Sequence, residues 1–215
     1  MSETRWWWIR HAPVTVHGGR IYGQSDLVCD CTDPALFGWL AHELPAGALW
    51  VTTPLGRTQQ TAEAILAAGA PAPAERAEEA AFIEQNFGEW QGLTHDELKT
   101  WRDGSVHRFW HAPASETPPG GESFSAVVDR VGVAIERLGQ RHAGRDIVVV
   151  AHGGSIRAAL AHALALDAER ALGFAIGNCS LTRLDHFAAD GAWRVGGVNL
   201  LRRPAGGLQV ATSNN

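Results

Sequence analysis

After Asp146, Ile147-Val148-Val149-Val150-Ala151 is an unbroken apolar run dominated by β-branched side chains. A strand with one wet face alternates apolar and polar residues. A strand without alternation is buried on both faces, which is the situation in a parallel sheet covered by helices. The run ends in His152-Gly153-Gly154-Ser155, and Ile156, Ala159, Leu160 and Leu164 then recur at helical spacing. Strand, short turn and helix in that order are the repeating unit of an α/β fold.

The rest of the chain keeps the same alternation. Residues 5–9 read as a buried strand that climbs through Trp6-Trp7-Trp8-Ile9 to Arg10-His11 and is stopped by Ala12-Pro13. Residues 12–32 carry turn formers and ligand-competent side chains, among them His17, Tyr22, Gly23 and Gln24, and read as a loop. Asp33-Pro34 has the form of an N-cap followed by the first helical residue. Leu36, Phe37, Leu40 and Leu44 follow at helical spacing, up to Pro45. A short strand over 48–52 leads to Thr53-Pro54, where the reading places a helix capped by Thr53 and running to about Ala68. Residues 69–74 are a Gly/Pro/Ala linker, and 75–81 read as an edge strand. A short helix over 94–101 is capped by Thr94, and 103–121 is irregular. Ser123 caps a long helix with Phe124, Val127, Val128, Val131, Ile135 and Leu138 on its buried stripe. Late strands over 180–187 and 192–200 flank an Asp190-Gly191 turn.

The expectation is therefore an α/β three-layer sandwich, with a mostly parallel central sheet and helices on both faces. One domain is expected over 1–204, with a lid or specificity insertion at about 94–121 and a flexible tail over 205–215. At 215 residues and 45% apolar content the chain can bury a sizeable core.

A net charge of −5 gives no bulk attraction to nucleic acid or to an anionic membrane. Any anion site must be a local cluster. Three cysteines, Cys29, Cys31 and Cys179, are too few and of odd number for a disulfide framework, which points to a reducing compartment. Cys29-x-Cys31 lacks zinc-knuckle spacing, and His107 and His111 lack Cys or carboxylate company, so no metal site is expected. No signal peptide or membrane span is visible, and a cytoplasmic location is expected.

Ligands of such sheets bind outside the carboxyl ends of the strands. Two strands end in histidine, at His11 and His152. A third leads to Arg57 in the opening turn of a helix. A cation there faces the positive end of the macrodipole; either it shares an anion with that helix end or it is simply solvated. With Arg10 these groups gather on one rim, and Glu84, in Phe82-Ile83-Glu84-Gln85-Asn86-Phe87-Gly88-Glu89-Trp90, lies in a loop that can reach it. An acid set among aromatics is a candidate general acid; Glu89 competes with Glu84 for that role.

Five stretches together resemble the histidine phosphatase superfamily, also called phosphoglycerate mutase-like. They are Arg10-His11, Thr53-Pro-Leu-Gly-Arg-Thr-Gln-Gln-Thr-Ala62, Glu84-x-x-Phe-Gly-x-Trp-x-Gly92, Pro119-Gly-Gly-Glu-Ser123 and Ala151-His-Gly-Gly-Ser-Ile-Arg157. Arg10-His-Ala-Pro-Val14 with Gly19-Arg-Ile-Tyr-Gly-Gln-Ser-Asp26 looks most like the branch of alpha-ribazole phosphatases. The resemblance implies His11 as nucleophile through a phosphohistidine. It also implies Arg10, Arg57 and His152 as phosphoryl ligands, Glu84 as proton donor, and His17, Tyr22, Gly23, Gln24 and Gly153 as substrate contacts. It implies no cofactor and a small phosphorylated metabolite as partner; a homodimer stays open. Two positions depart from the family pattern. Ala12 stands where glycine is usual, which a negative φ accommodates, and His17 stands where asparagine is common. A phosphoglycerate mutase, or a binding module on the same fold that has lost catalysis, are the alternatives.

Overall fold

The computed structural model describes residues 3–105 and 107–202. One six-stranded sheet organises them, built from β1 (Glu3–Arg10), β2 (Leu49–Thr52), β3 (Glu75–Glu78), β4 (Asp146–Ala151), β5 (Leu181–Phe187) and β6 (Ala192–Leu200). The spatial order is β3-β2-β4-β1-β5-β6. The three pairings on the β3 side are parallel, and β1–β5 and β5–β6 are antiparallel, so β5 alone runs against the others. β4 lies between β2 and β1, and Ile147 to Ala151 are fully buried, as its uninterrupted apolar sequence requires.

Helices cover both faces, and the sheet pleat divides the core between them. Trp6, Trp8, Ile147 and Val149 face α4 (Phe124–Arg141), α5 (Gly153–Leu164) and α6 (Ala168–Ala171). Ile9, Trp50, Val148 and Val150 face α1 (Pro34–Glu43) and α2 (Gly56–Ala67). Alternate residues of one strand therefore serve opposite layers. Trp6 and Trp8 stack at 5.8 Å, and Phe82 packs edge-on to Trp8 at 4.9 Å.

Asp33 caps α1 by accepting from the Ala35 and Leu36 amides, and Ser123 caps α4. Thr94 and Glu97 form a reciprocal capping box on α3 (His95–Trp101). Two expectations need correction. Thr53 does not cap α2: the helix begins at Gly56 with Leu55 as its N-cap, and the Thr53 hydroxyl turns instead to Thr58 and His152. The edge strand stops at Glu78, where Glu79 caps a single 3₁₀ turn over Ala80–Phe82 that carries Phe82 into the core. The expected tail over 205–215 lies outside the described residues.

A small satellite core of Ile21, Phe87, Trp90, Leu98 and Ala112 joins the 12–32 loop to the 94–121 insertion. Backbone bonds from Ile21 to Leu93 and from Gly92 to Ile21 tie the two segments together beside an Arg20–Thr94 bridge. They form one wall above the carboxyl ends of β1 and β4. Among the described residues no helix is long and apolar enough to cross a membrane.

Candidate active site

Strand register builds the centre of the site. Arg10 pairs with Ala151 across β1 and β4, so the next residue on each strand is a histidine. The His11 amide donates to the Ala151 carbonyl at 2.9 Å, and the His11 and His152 rings sit 5.3 Å apart. Both rings are almost fully buried. His11 Nδ1 lies 2.7 Å from the Ala12 carbonyl, which can only accept, so Nδ1 carries the hydrogen and Nε2 keeps its lone pair. Burial, reinforced by the Arg10 and Arg57 guanidiniums, holds the His11 pKa well below 6.5. The ring is neutral and has a free nitrogen. Ala12 is buried, its amide donates to Thr61 Oγ1 at 2.9 Å, and it is not among the residues with positive φ, so its methyl group is accommodated without strain.

Backbone carbonyls aim the arginines. Arg57 donates from Nη1 to Ser25 at 2.7 Å and from Nη2 to Gly23 at 2.6 Å, and lies 5.2 Å from the Tyr22 ring centre. Arg10 donates from Nη1 to Ile176 at 2.6 Å. In each the Nε–H is buried and has no protein partner among the described residues. The same holds for His152 Nδ1, whose opposite nitrogen meets the Thr53 hydroxyl at 2.9 Å. Burial, then His11 and both arginines, push the His152 pKa well below 6.5. Three orphaned buried nitrogens belong to side chains grouped about the neutral His11 imidazole. Leaving such groups unpaired costs on the order of 1–3 kcal/mol each, which an oxyanion in their midst would recover.

Glu84 approaches from the loop after Phe82. Its Oε1 accepts from the Gly154 amide at 3.1 Å, in the first turn of α5, and from its neighbour Gln85 at 2.9 Å. Arg130 of α4 and the Gln24 side chain both bind the Glu84 carbonyl, at 3.2 and 2.9 Å, and fix the loop.

A cavity of about 440 Å³ opens above this centre. Of the residues predicted from sequence, Arg10, His17, Tyr22, Gly23, Glu84 and Gly153 line it. His11, Arg57 and His152 lie behind that lining, and Tyr22 packs against both His11 (6.3 Å) and Arg57. Gln24 is not on the wall: its side-chain amide is spent on Glu84, and its own N–H goes to Gln91. His17 sits at the mouth, against Tyr22, with Nδ1 3.2 Å from the Arg20 carbonyl. Glu89, the competing acid, is not on the wall.

The cavity also has lining that sequence reading missed. Arg157 of α5 lies over the Trp110 ring at 4.6 Å. His111 stacks on His95 at 5.2 Å, its pKa drawn down to about 3 by desolvation, His95 and Arg157. Asn178 donates to the His11 carbonyl at 2.8 Å. The one available signal for Arg157 was its spacing, four residues after Gly153 and so on the same face of the helix. Among the described residues no group of three or more His, Cys, Asp or Glu side chains could hold a metal ion.

A neutral buried histidine beside two arginines with unpartnered Nε–H groups, at the carboxyl ends of parallel strands, is an arrangement suited to an anion. The profile of the histidine phosphatase superfamily (branch 1) matches residues 6–200, and the chain belongs to that family. A bifunctional protein of Mycobacterium tuberculosis is 37% identical over 167 residues, covering 77% of this chain but only 44% of its own length. The chain thus spans less than half of that relative. The structure of mycobacterial glucosyl-3-phosphoglycerate phosphatase in complex with VO3 is 28% identical, with a TM-score of 0.77 over 91% of this chain and 99% of that one. A putative alpha-ribazole-5′-phosphate phosphatase from Escherichia coli shares the fold, with a TM-score of 0.75 at 22% identity over 94% of this chain and 99% of that one.

Proposed function

We propose that this chain is a cytoplasmic, metal-independent phosphatase that hydrolyses small phosphomonoesters through a phosphohistidine on His11. The observation that carries the reading is the buried, unpartnered Nε–H of Arg10 and of Arg57, together with the unpartnered Nδ1 of His152, around a neutral His11. A phosphomonoester carries nearly two negative charges near neutral pH. It would replace the missing partners with charge-assisted bonds.

In the first step His11 Nε2 attacks phosphorus in line with the ester oxygen. The N–P bond forms as the P–O bond breaks, and Glu84 gives a proton to the departing alkoxide. The transition state spreads charge over the equatorial oxygens, where the two guanidiniums and His152 stabilise it. The bond from Nδ1 to the Ala12 carbonyl keeps the ring in the attacking tautomer and steadies the positive charge it gains. In the second step water attacks the phosphohistidine, Glu84 takes the water's proton, and inorganic phosphate leaves with His11 restored.

Aryl phosphate hydrolysis tests this reading. Mixing with p-nitrophenyl phosphate should release a burst of nitrophenol stoichiometric with sites, followed by steady turnover. Absence of hydrolysis, with phosphate still bound, would point to a binding module. Quantitative transfer between 3- and 2-phosphoglycerate in place of hydrolysis would point to a mutase. Alpha-ribazole 5′-phosphate belongs in the same substrate panel.

A further inference from the structure

Glu169 of α6 holds two points of the irregular insertion at once. Its Oε2 accepts from the Ala114 amide at 2.8 Å, and its Oε1 lies 2.6 Å from His107 Nε2. The Ala114 amide, with help from His107, holds the Glu169 carboxyl below its ordinary range, so it is ionised at neutral pH. His107 Nδ1 accepts from the backbone amides of Trp110 at 3.0 Å and Phe109 at 3.3 Å. A ring nitrogen that accepts carries no hydrogen, so the His107 hydrogen sits on Nε2 and is donated to Glu169. One neutral ring thus makes a charge-assisted bond to α6 and, through its far nitrogen, ties the chain at Trp110.

Trp110 is pinned at both ends. Its backbone hangs on His107, and its indole N–H donates to Gln85 Oε1 at 2.8 Å, while Gln85 itself donates to the Glu122 carbonyl at 2.8 Å. Between the two pins the ring packs against Phe124 at 6.2 Å and Phe87 at 5.9 Å and forms part of the cavity wall. The base of the insertion is closed by other bonds. Arg102 donates to Glu116 from Nε at 3.0 Å, and the Ala114 carbonyl accepts from the Ser125 amide of α4 at 2.9 Å. The tip faces solvent: Arg108 is exposed and Phe109 is 48% exposed. Glu169 therefore carries the fixed position of Ala114 out to a tip that is otherwise wet, and so decides where Trp110 stands.

We propose that Glu169 and His107 are positioning residues of the phosphatase: the pair clasps the insertion to α6 and sets Trp110 as the wall against which the organic part of the ester is held. This rests on the phosphatase reading above. Neither residue reaches the centre around His11, so the clasp acts on ester binding and leaves the phosphoryl ligands alone. α6 keeps its own N-cap, Asp167, which accepts from the Arg170 amide at 2.9 Å, so loss of Glu169 opens the clasp without unmaking the helix.

The test measures turnover of glycerol 3-phosphate and p-nitrophenyl phosphate, with inorganic phosphate as a competitive inhibitor that occupies only the centre around His11. In Glu169→Ala, KM for both esters should rise about tenfold with kcat within about threefold, while the Ki of inorganic phosphate stays within about twofold. Trypsin should cut after Arg108 about tenfold faster than in wild type. Glu169→Gln, which keeps an acceptor at the same reach, should recover part of the KM. The Glu169→Ala, His107→Ala double variant should lose no more than Glu169→Ala alone, because both changes open one clasp; additive losses would overturn the pairing. An unchanged KM in Glu169→Ala would overturn the proposal. So would a phosphate Ki that rises in step with KM, because Glu169 would then support the phosphoryl centre or the whole fold. Should Glu169→Ala not fold, the same comparison is read from His107→Ala. If wild type hydrolyses neither ester, the phosphatase reading itself fails and takes this inference with it.

Discussion

Glu84 rests its carboxylate on the amide of Gly154, with Oε1 3.1 Å from the nitrogen, two residues beyond His152. The contact exists because position 154 has no side chain: a Cβ there would lie 2.2 Å from the same oxygen. His152, the N-cap residue of α5, makes no side-chain cap bond, so Glu84 is the acid that satisfies this helix start. The proposed proton donor, Glu84, and the proposed phosphoryl ligand, His152, are thereby held by one turn of backbone.

Gly154→Ala should displace Glu84 without disturbing His11. Its helical backbone accepts alanine, so the effect falls on the carboxylate. Turnover of alkyl phosphates, whose leaving groups need a proton, should fall by about a hundredfold. Turnover of p-nitrophenyl phosphate should fall far less. Leaving-group dependence of kcat, measured alongside Glu84→Gln, checks this; equal losses on both substrate types would remove Glu84 from the donor role.

Arg57→Ala should lose about a hundredfold or more in kcat/KM, the usual cost of one charged donor at a developing oxyanion. It should also lower Tm, because both terminal nitrogens of Arg57 hold the carbonyls of Gly23 and Ser25. Arg57→Lys restores the charge but not the paired geometry and should recover little. Steady-state kinetics with thermal melts separates the two losses. Full activity in the lysine variant would contradict the bidentate anchoring.

Stability should fall on acidification. His11 and His152 titrate in the folded chain well below 6.5. Between those lowered values and 6.5 the unfolded chain binds more protons than the folded one, so stability rises with pH there. The contribution is complete above 6.5 and is lost as the pH falls towards the folded values. Tm compared between about pH 7.5 and about pH 5 should drop, and the drop should shrink in a His11→Gln, His152→Gln double variant. Inorganic phosphate should oppose it. A pH-independent Tm over that range would mean that the two rings are not held neutral by the fold.

Chelation should leave turnover unchanged, because the guanidiniums of Arg10 and Arg57 supply the charge that a divalent ion would otherwise bring. Assay after EDTA treatment and dialysis checks this, and inhibition reversed by a divalent ion would contradict it.

The sheet and the centre of the site were legible because each has a local signature. Uninterrupted β-branching marked β4, and strand ends placed His11 and His152 on one rim. Arg57 stood out as a cation at the wrong end of a helix. What stayed hidden depends on partners distant in sequence. Thr53 looks like a cap until His152, folded beside it, takes its hydroxyl. Gln24 looks like a ligand contact until the Glu84 carbonyl claims its amide. Arg157 reads as one more polar residue on a helix until the Phe174 carbonyl and the Trp110 ring, brought to it by the fold, bury and orient it. The carbonyls of Gly23, Ser25 and Ile176 that aim the arginines leave no mark in side-chain chemistry.

The central claim is covalent chemistry on His11. Rapid quenching at alkaline pH during turnover, followed by peptide mass spectrometry, should find an acid-labile phosphoryl group on the peptide that carries His11. His11→Ala should lack it and should keep its fold with activity below about a hundredth of wild type. A phosphoryl group on any other residue, or full turnover by His11→Ala, would contradict the account.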